Sequence, residues 1–326
     1  MKGLNVLVVG GAGYIGSHAA KALNGRGARV VVFDSLKRGY REALKWGEFV
    51  KGDLLDPASL DAVFASRPID AVMHFAAYAY VGESVEKPGL YYENNVGGTV
   101  NLLNAMARAS CNKIIFSSTC AIYGEPEKLP LTEDHPKRPI NPYGRTKLMV
   151  EEILRDFEGA EGLKHVCLRY FNAAGADPDC ETGERHDPET HLLPLAILAA
   201  MGRGKTLRIF GTDYPTHDGT CVRDYIHVTD LAEAHLLALG HLMGGGASKN
   251  YNLGNGNGYS VREVLNETSR AVGRPVPAEE TARRPGDPAV LVGSSELIRS
   301  ELGFSPRYAD LPTIVDTAVR WHQKIS

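Results

Sequence analysis

The stretch NVLVVGGAGYIGSH, residues 5–18, decides the fold of this chain. After Asn5 it is apolar without alternation, which predicts a strand buried on both faces, as in a parallel sheet. Gly10, Gly13 and Gly16 then mark a tight turn into a helix that begins near Tyr14. One glycine permits the turn, another lets the backbone approach a pyrophosphate, and the last allows close helix–sheet packing while helix-end N–H groups face the phosphates. Asp34 closes the next apolar run, 21 residues after Gly13. A carboxylate there accepts hydrogen bonds from ribose hydroxyls and repels a 2′-phosphate, which points to NAD rather than NADP.

Outward from this fingerprint, apolar β-branched runs recur at Leu4–Val9, Arg29–Phe33, Ala71–Ala76, Lys113–Ser117 and Lys164–Tyr170, separated by helical stretches. That alternation predicts a doubly wound α/β architecture with a Rossmann-type parallel sheet. Beyond about residue 173 the rhythm breaks into loops rich in Gly, Asp, Pro and His at 177–189, 211–219 and 283–288. A second, smaller lobe is therefore expected. Tyr225–Val228, Thr229–Leu242 and Asn250–Gly254 read as strand, helix and strand returning to the first sheet, so the lobes interleave: 1–173 with about 225–257, and 174–224 with 258–326.

The chain has 326 residues, 43% of them hydrophobic, and a formal net charge of −3 from 36 basic and 39 acidic residues. No run of lysine or arginine marks a nucleic-acid or membrane-surface binder. The apolar stretch at 1–9 is too short for a signal peptide, and no apolar run of about 18 residues occurs, so a cytoplasmic protein is expected. The five cysteines form no CxxC pair, which predicts reduced thiols, and no metal site is expected.

Chemistry is concentrated in FSSTCAIYG at 116–124 and NPYGRTK at 141–147. Tyr143 and Lys147, four residues apart on a helix, share one face. An adjacent ammonium and a bound nicotinamide cation favour an ionised phenol, so Tyr143 reads as a base, Lys147 as its support and a ribose ligand, and Thr119 as the hydroxyl that orients it. Asp53, after a short strand, is placed to meet an adenine amino group or merely to cap a loop. Phe75, Ala76 and Ala77 are placed to line the cofactor groove, because ligands of open α/β sheets bind at the carboxyl ends of strands. His18 and His74 read as packing residues and His217 as a solvated one.

With these motifs the chain resembles the extended short-chain dehydrogenase/reductases and, within them, the UDP-glucose 4-epimerases. The likeness runs through HFAA at 74–77, VGESVEKP at 81–88, YYENNVGGT at 91–99, RYFNAAGA at 169–176, ETHLLP at 189–194, IFGTDYPTHDGTCVRDYIHV at 209–228 and RRPGDPA at 283–289. It implies an N-terminal NAD domain, a smaller UDP-sugar domain, tightly held NAD and a homodimer formed through helices flanking the catalytic segment. It assigns NAD contacts to Gly10, Gly13, Tyr14, Ile15, Gly16, Asp34, Ser35, Asp53, Leu54, Phe75, Ala76, Ala77, Asn94, Tyr143, Lys147 and Tyr170. It assigns the nucleotide sugar to Thr119, Asn172, His191, Leu192, Arg208, Phe210, Arg223, Tyr225, Arg284 and Asp287. Physical chemistry agrees with the second set: Arg223 and Arg284 can clamp a diphosphate, Phe210 can flank uracil and Asp287 can accept ribose hydroxyls.

The expected reaction is C4 epimerisation of a UDP-sugar, with UDP-glucose/UDP-galactose favoured over UDP-xylose/UDP-arabinose or N-acetylated UDP-hexoses. Leu291 falls where side-chain bulk limits the 2-substituent in some members, and its intermediate size settles nothing. A 4,6-dehydratase would need a carboxylate after Thr119, where Cys120 and Ala121 stand instead. A non-catalytic NAD-binding module would not need Tyr143 and Lys147. Three positions depart from the family. Thr119 replaces a Ser of many members. Ala79 replaces a cofactor-contacting Lys of some, which predicts weaker NAD retention. His191 replaces an Asn of some, which predicts UDP affinity that depends on pH.

Overall fold

The computed structural model describes residues 1–284 and 286–325; Pro285, within the 283–289 motif, and Ser326 lie outside the described residues. Thirteen strands occur among them: β1 (Asn5–Val9), β2 (Arg29–Asp34), β3 (Glu48–Lys51), β4 (Ala71–His74), β5 (Lys113–Thr119), β6 (Lys164–Tyr170), β7 (Asn172–Ala174), β8 (Leu207–Phe210), β9 (Val222–His227), β10 (Lys249–Leu253), β11 (Gly258–Ser260), β12 (Ala278–Thr281) and β13 (Val290–Leu291). Seven form one sheet in the order β3-β2-β1-β4-β5-β6-β10. Every pairing in it is parallel.

The order of strands reverses between β1 and β4, so the chain leaves those two strands toward opposite sides and opens a crevice at their carboxyl ends. Helices cover both faces. Side chains alternate between them: Val6, Val8, Val30, Val32 and Met73 fill one core, while Leu7, Val9, Val31, Phe33 and Val72 fill the other. Each such side chain removed from water contributes roughly 1.5–3 kcal/mol, which explains why these strands read as continuous apolar runs.

β7, β11 and β13 pair with β9 in a second, small sheet, and β8 pairs with β12. The expectation for 225–257 therefore needs one correction. Helix Val228–Met243 packs against helix Tyr14–Gly25 and β10 joins the large sheet beside β6, but the strand before them, β9, lies in the small sheet. Period alone does not say which sheet receives a strand. His227, the last residue of β9, accepts a hydrogen bond from the Thr229 N–H and caps the helix, so the chain crosses from one sheet to the other at that point.

Candidate active site

The first turn is as tight as its glycines require. Gly10 has φ 84°, and a Cβ there would stand 2.5 Å from the Ala76 backbone nitrogen. A Cβ at Gly16 would stand 2.3 Å from the Gly10 carbonyl oxygen. Helix Tyr14–Gly25 begins without a side-chain cap, leaving its first N–H groups directed at the space a pyrophosphate needs. Asp34 accepts hydrogen bonds from the Ala12 N–H at 3.0 Å and the Leu36 N–H at 2.8 Å, which hold its carboxylate beside that turn. Burial raises its pKa, opposed by those two bonds. The cradle therefore fits a dinucleotide with a free 2′-hydroxyl.

Helix Pro142–Glu161 carries the expected pair, Tyr143 and Lys147. Asn141 caps it by accepting from the Gly144 N–H at 2.8 Å, and Pro142 sits in its first turn. Gly144 lets the helix meet the loop after β5: a Cβ there would lie 2.5 Å from the Ala121 oxygen. Tyr143 thereby faces the end of β5. Burial pushes its phenol above the ordinary range, as does Tyr170, while the bond with Thr119 lowers it. Lys147 is buried beneath, 6.0 Å from the Tyr143 ring centroid and 4.8 Å from that of Phe116, and donates to the Ser117 oxygen at 2.7 Å. Its desolvation lowers the ammonium to about 7. Burial thus disfavours the phenolate in the cofactor-free protein, and the positive charge of a bound dinucleotide would favour it.

Several supports of this pair escaped the sequence reading. Arg169 makes a bidentate pair with Glu151, at 2.9 and 2.6 Å, and Ser118 donates to the same carboxylate at 2.6 Å. This fully buried cluster ties β5 and β6 to helix Pro142–Glu161. Asn95, in a π-helical turn at Tyr92–Gly97, accepts from the Tyr78 N–H at 2.8 Å and donates to Thr146 at 3.2 Å. It joins the loop after β4 to the same helix. No short-range spacing announces contacts that the parallel topology alone brings together.

One cleft of about 1120 Å³ runs along the strand ends and between the lobes. At one end Gly10, Gly13, Tyr14, Ile15, Gly16, Asp34, Ser35, Asp53, Leu54, Phe75, Ala76, Ala77 and Asn94 line it, and Thr119, Tyr143 and Tyr170 stand midway. Asn172, His191, Leu192, Arg223, Tyr225, Arg284 and Asp287 also line it, with His191 reaching back toward Tyr14 through the His186 ring 4.9 Å away. Asp53 is engaged by the Lys37 ammonium at 2.7 Å, and it stabilises its own turn through the Leu55 N–H at 2.9 Å. Beside Ala79, Arg38 lies over the rings of Tyr78 and Tyr80, 5.2 and 5.0 Å away, and lines the cleft. A cation is thus present near the position where the lysine of other members is missing.

Three expected site residues lie outside the cleft surface. Lys147 is beneath it. Arg208 and Phe210 alternate outward on β8, Arg208 paired with Glu279 at 3.3 Å and Phe210 at the rim under Arg284, whose guanidinium stands 5.5 Å from the ring centroid. Arg223 donates to the Pro288 carbonyl at 2.8 Å and stands 3.6 Å from Asp287, which also holds Arg284 through two bonds of 3.0 Å. His191 contacts Glu184 at 3.0 Å and Glu189 at 2.9 Å; these carboxylates outweigh its desolvation and raise it to about 10. It stays charged at neutral pH, so the pH-dependent affinity expected from this residue does not arise there. Glu184 and His186 also line the cleft; the Glu-x-His-x-x-Glu-x-His spacing at 184–191 was the signal for them, and it went unread.

A parallel Rossmann-type sheet, a glycine cradle at its switch point and a tyrosine over a buried lysine define a nicotinamide-dependent enzyme of the short-chain type. The model of the NAD dependent epimerase/dehydratase family matches residues 6–254, and the chain belongs to that family. It is 52% identical over 324 residues to a UDP-glucose 4-epimerase of Rhizobium leguminosarum bv. trifolii, covering 99% of each chain. It is 50% identical over 319 residues to one of Halalkalibacterium halodurans, covering 98% of this chain and 96% of the other. The crystal structure of UDP-glucose 4-epimerase from Brucella ovis in complex with NAD is 54% identical, with a TM-score of 0.96 over 97% of this chain and 98% of that one. The chain is accordingly an isomerase that performs NAD-dependent C4 epimerisation of a UDP-sugar.

Proposed function

We propose that the chain interconverts UDP-glucose and UDP-galactose with Tyr143 as the acid–base residue. The observation that carries this reading is that one continuous cleft is lined by Asp34, Tyr143, Thr119 and Arg223 alike. When bound, NAD supplies reversible oxidation at the sugar C4. Tyr143 takes the proton from the 4-hydroxyl oxygen and returns it to that same oxygen after the ketone has turned, so that C4 is reduced on its opposite face. Thr119 holds the phenol oxygen toward that position. Lys147 exchanges its bond to the Ser117 carbonyl for the ribose beside it, which brings the ammonium to bear on Tyr143. Arg223 and Arg284 retain the diphosphate while the sugar turns, so binding energy away from the reacting carbon keeps the ketone in place.

The same reading makes the enzyme a homodimer through helices Gly98–Arg108 and Pro142–Glu161, supported by the exposed apolar side chain of Met149 on the second of them. It also places the enzyme in the cytoplasm: the five cysteines are free, and no helix among the described residues is long and apolar enough to cross a membrane. Incubation with UDP-glucose, UDP-xylose and UDP-N-acetylglucosamine, followed by separation of the C4 epimers, tests the substrate. Turnover of UDP-glucose to UDP-galactose is expected to be fastest; turnover confined to the pentose or the N-acetylated sugar overturns the assignment.

A further inference from the structure

The loop before helix Leu192–Ala200 holds a cluster of which only His191 was assigned to the nucleotide sugar. Glu184, His186, Glu189 and His191 present one donor atom each, all within 4.8 Å of one another. They close a ring. His186 Nδ1 stands 3.3 Å from Glu184 Oε1 and 3.4 Å from Glu189 Oε2, and His191 Nδ1 stands 3.0 Å from Glu184 Oε1 and 2.9 Å from Glu189 Oε1. Around a tetrahedral zinc ion with bonds of about 2.0–2.2 Å, neighbouring donors lie about 3.3–3.6 Å apart, so the His186 contacts already match and the His191 contacts must lengthen by a few tenths of an ångström.

A second observation points the same way. His186 Nδ1 is shielded from solvent and has no hydrogen-bond partner of acceptable geometry, although it is aimed between two carboxylates. Such an atom is a lone pair or proton without a fixed use. The site is walled by Tyr80, whose ring lies 6.0 Å from that of His186 and 6.4 Å from that of His191, and by Tyr14, 6.4 Å from His186. One side faces the cleft, which Glu184, His186 and His191 line. By contrast, the neighbouring trio Asp177, Asp179 and Glu181 already shares a cation, the Lys21 ammonium, at 2.7, 3.1 and 2.7 Å.

We infer that Glu184, His186, Glu189 and His191 form a tetrahedral site for a zinc-class divalent cation on the wall of the substrate cleft. Two imidazoles and two carboxylates suit zinc or cobalt, whereas calcium and magnesium require six or more oxygens. Ligation requires neutral imidazoles, so the ion displaces the Nδ1 proton that the carboxylates hold on His191 and releases it to solvent. The two carboxylates then neutralise the ion, and all four donors come from eight consecutive residues, so little chain entropy opposes binding. The open side leaves the ion accessible from the cleft. Occupancy withdraws His191 from the diphosphate, making the cation an inhibitor; this consequence rests on the proposed function, whereas the binding itself does not.

Cobalt(II) is the probe, added to the full-length, NAD-loaded protein in the absence of UDP-sugar. The expected result is a single ion per chain with the intense visible bands of tetrahedral cobalt and no thiolate charge-transfer band. X-ray absorption of this sample should count two imidazole ligands. His186→Ala and Glu189→Gln should each weaken binding by more than the roughly 10–100-fold typical of losing an outer partner of a ligand. The site is overturned by absence of binding, by octahedral spectra, by a thiolate band, by fewer than two imidazoles, or by undiminished affinity in both variants. X-ray absorption of the wild type decides the matter even where a variant does not fold. Normal epimerisation without cobalt binding sinks the site alone; a protein that binds cobalt but does not epimerise when metal-free sinks the proposed function alone.

Discussion

The wall of the cleft that carries Tyr143 buries its polar groups beneath strand ends, whereas the wall that carries Arg223, Arg284 and His191 spends its charges on partners of its own. On the first wall Lys147 has one carbonyl and no carboxylate within bonding distance, and desolvation lowers it to about 7. On the second, Asp287 serves both arginines and two glutamates serve His191. The first wall stores electrostatic demand that only a bound dinucleotide relieves. The second is satisfied before substrate arrives, so an incoming diphosphate must compete with internal carboxylates. On the proposed function, the catalytic groups are thus held poised and the recognition groups held in place.

Substitutions on the two walls should separate along that line. Tyr143→Phe removes the proton acceptor and should lower kcat by about 10²- to 10⁴-fold while NAD content and thermal midpoint stay unchanged; wild-type turnover in a folded, NAD-loaded variant would refute the role. On the opposite wall, Arg223→Leu should act on KM instead. Arg223 is largely buried, and loss of a charge-assisted bond there predicts a rise of about 10- to 100-fold. A fall confined to kcat would erase the distinction between the walls. Arg284 has 61% of its side chain exposed, so solvent screens its contribution. Arg284→Met should raise KM by about fivefold or less, read from initial rates against UDP-sugar concentration.

A pH titration sharpens the comparison further. His18, His74 and His235, packed in the large lobe, are lowered by burial to about 4, 3 and 4, and His227 at the junction to about 3. The unfolded chain takes up these protons near the ordinary value of about 6.5, before the folded one does, so stability declines as pH falls from there toward 3. The melting temperature of the cofactor-free protein should drop steadily across that interval. A flat profile would show that these imidazoles meet water in the folded state.

Much of the first wall was legible because its parts are local. The glycine turn, Asp34, and the four-residue spacing of Tyr143 and Lys147 each sit on one element whose period the sequence displays. The carboxylate and hydroxyl beneath them, Glu151 and Ser118, gave no such signal; Arg169 and Ser118 meet at the Glu151 carboxylate only because β5 and β6 pair in parallel register. The placement of β9 was misread for a related reason. An apolar run states that a strand is buried and leaves open which sheet buries it. Arg208 shows the limit at a single residue: the family resemblance put it at the nucleotide, and the outward alternation of β8 turned it to Glu279.

The sequence by itself determined a doubly wound sheet, a dinucleotide cradle and a tyrosine–lysine pair, since each follows from steric and hydrogen-bonding rules acting within a few residues. Only the tertiary structure decided the charge states of that pair and which arginines reach the cleft. It also closed Glu184, His186, Glu189 and His191 into a ring. Desolvation and long-range pairing depend on what the fold packs against a residue.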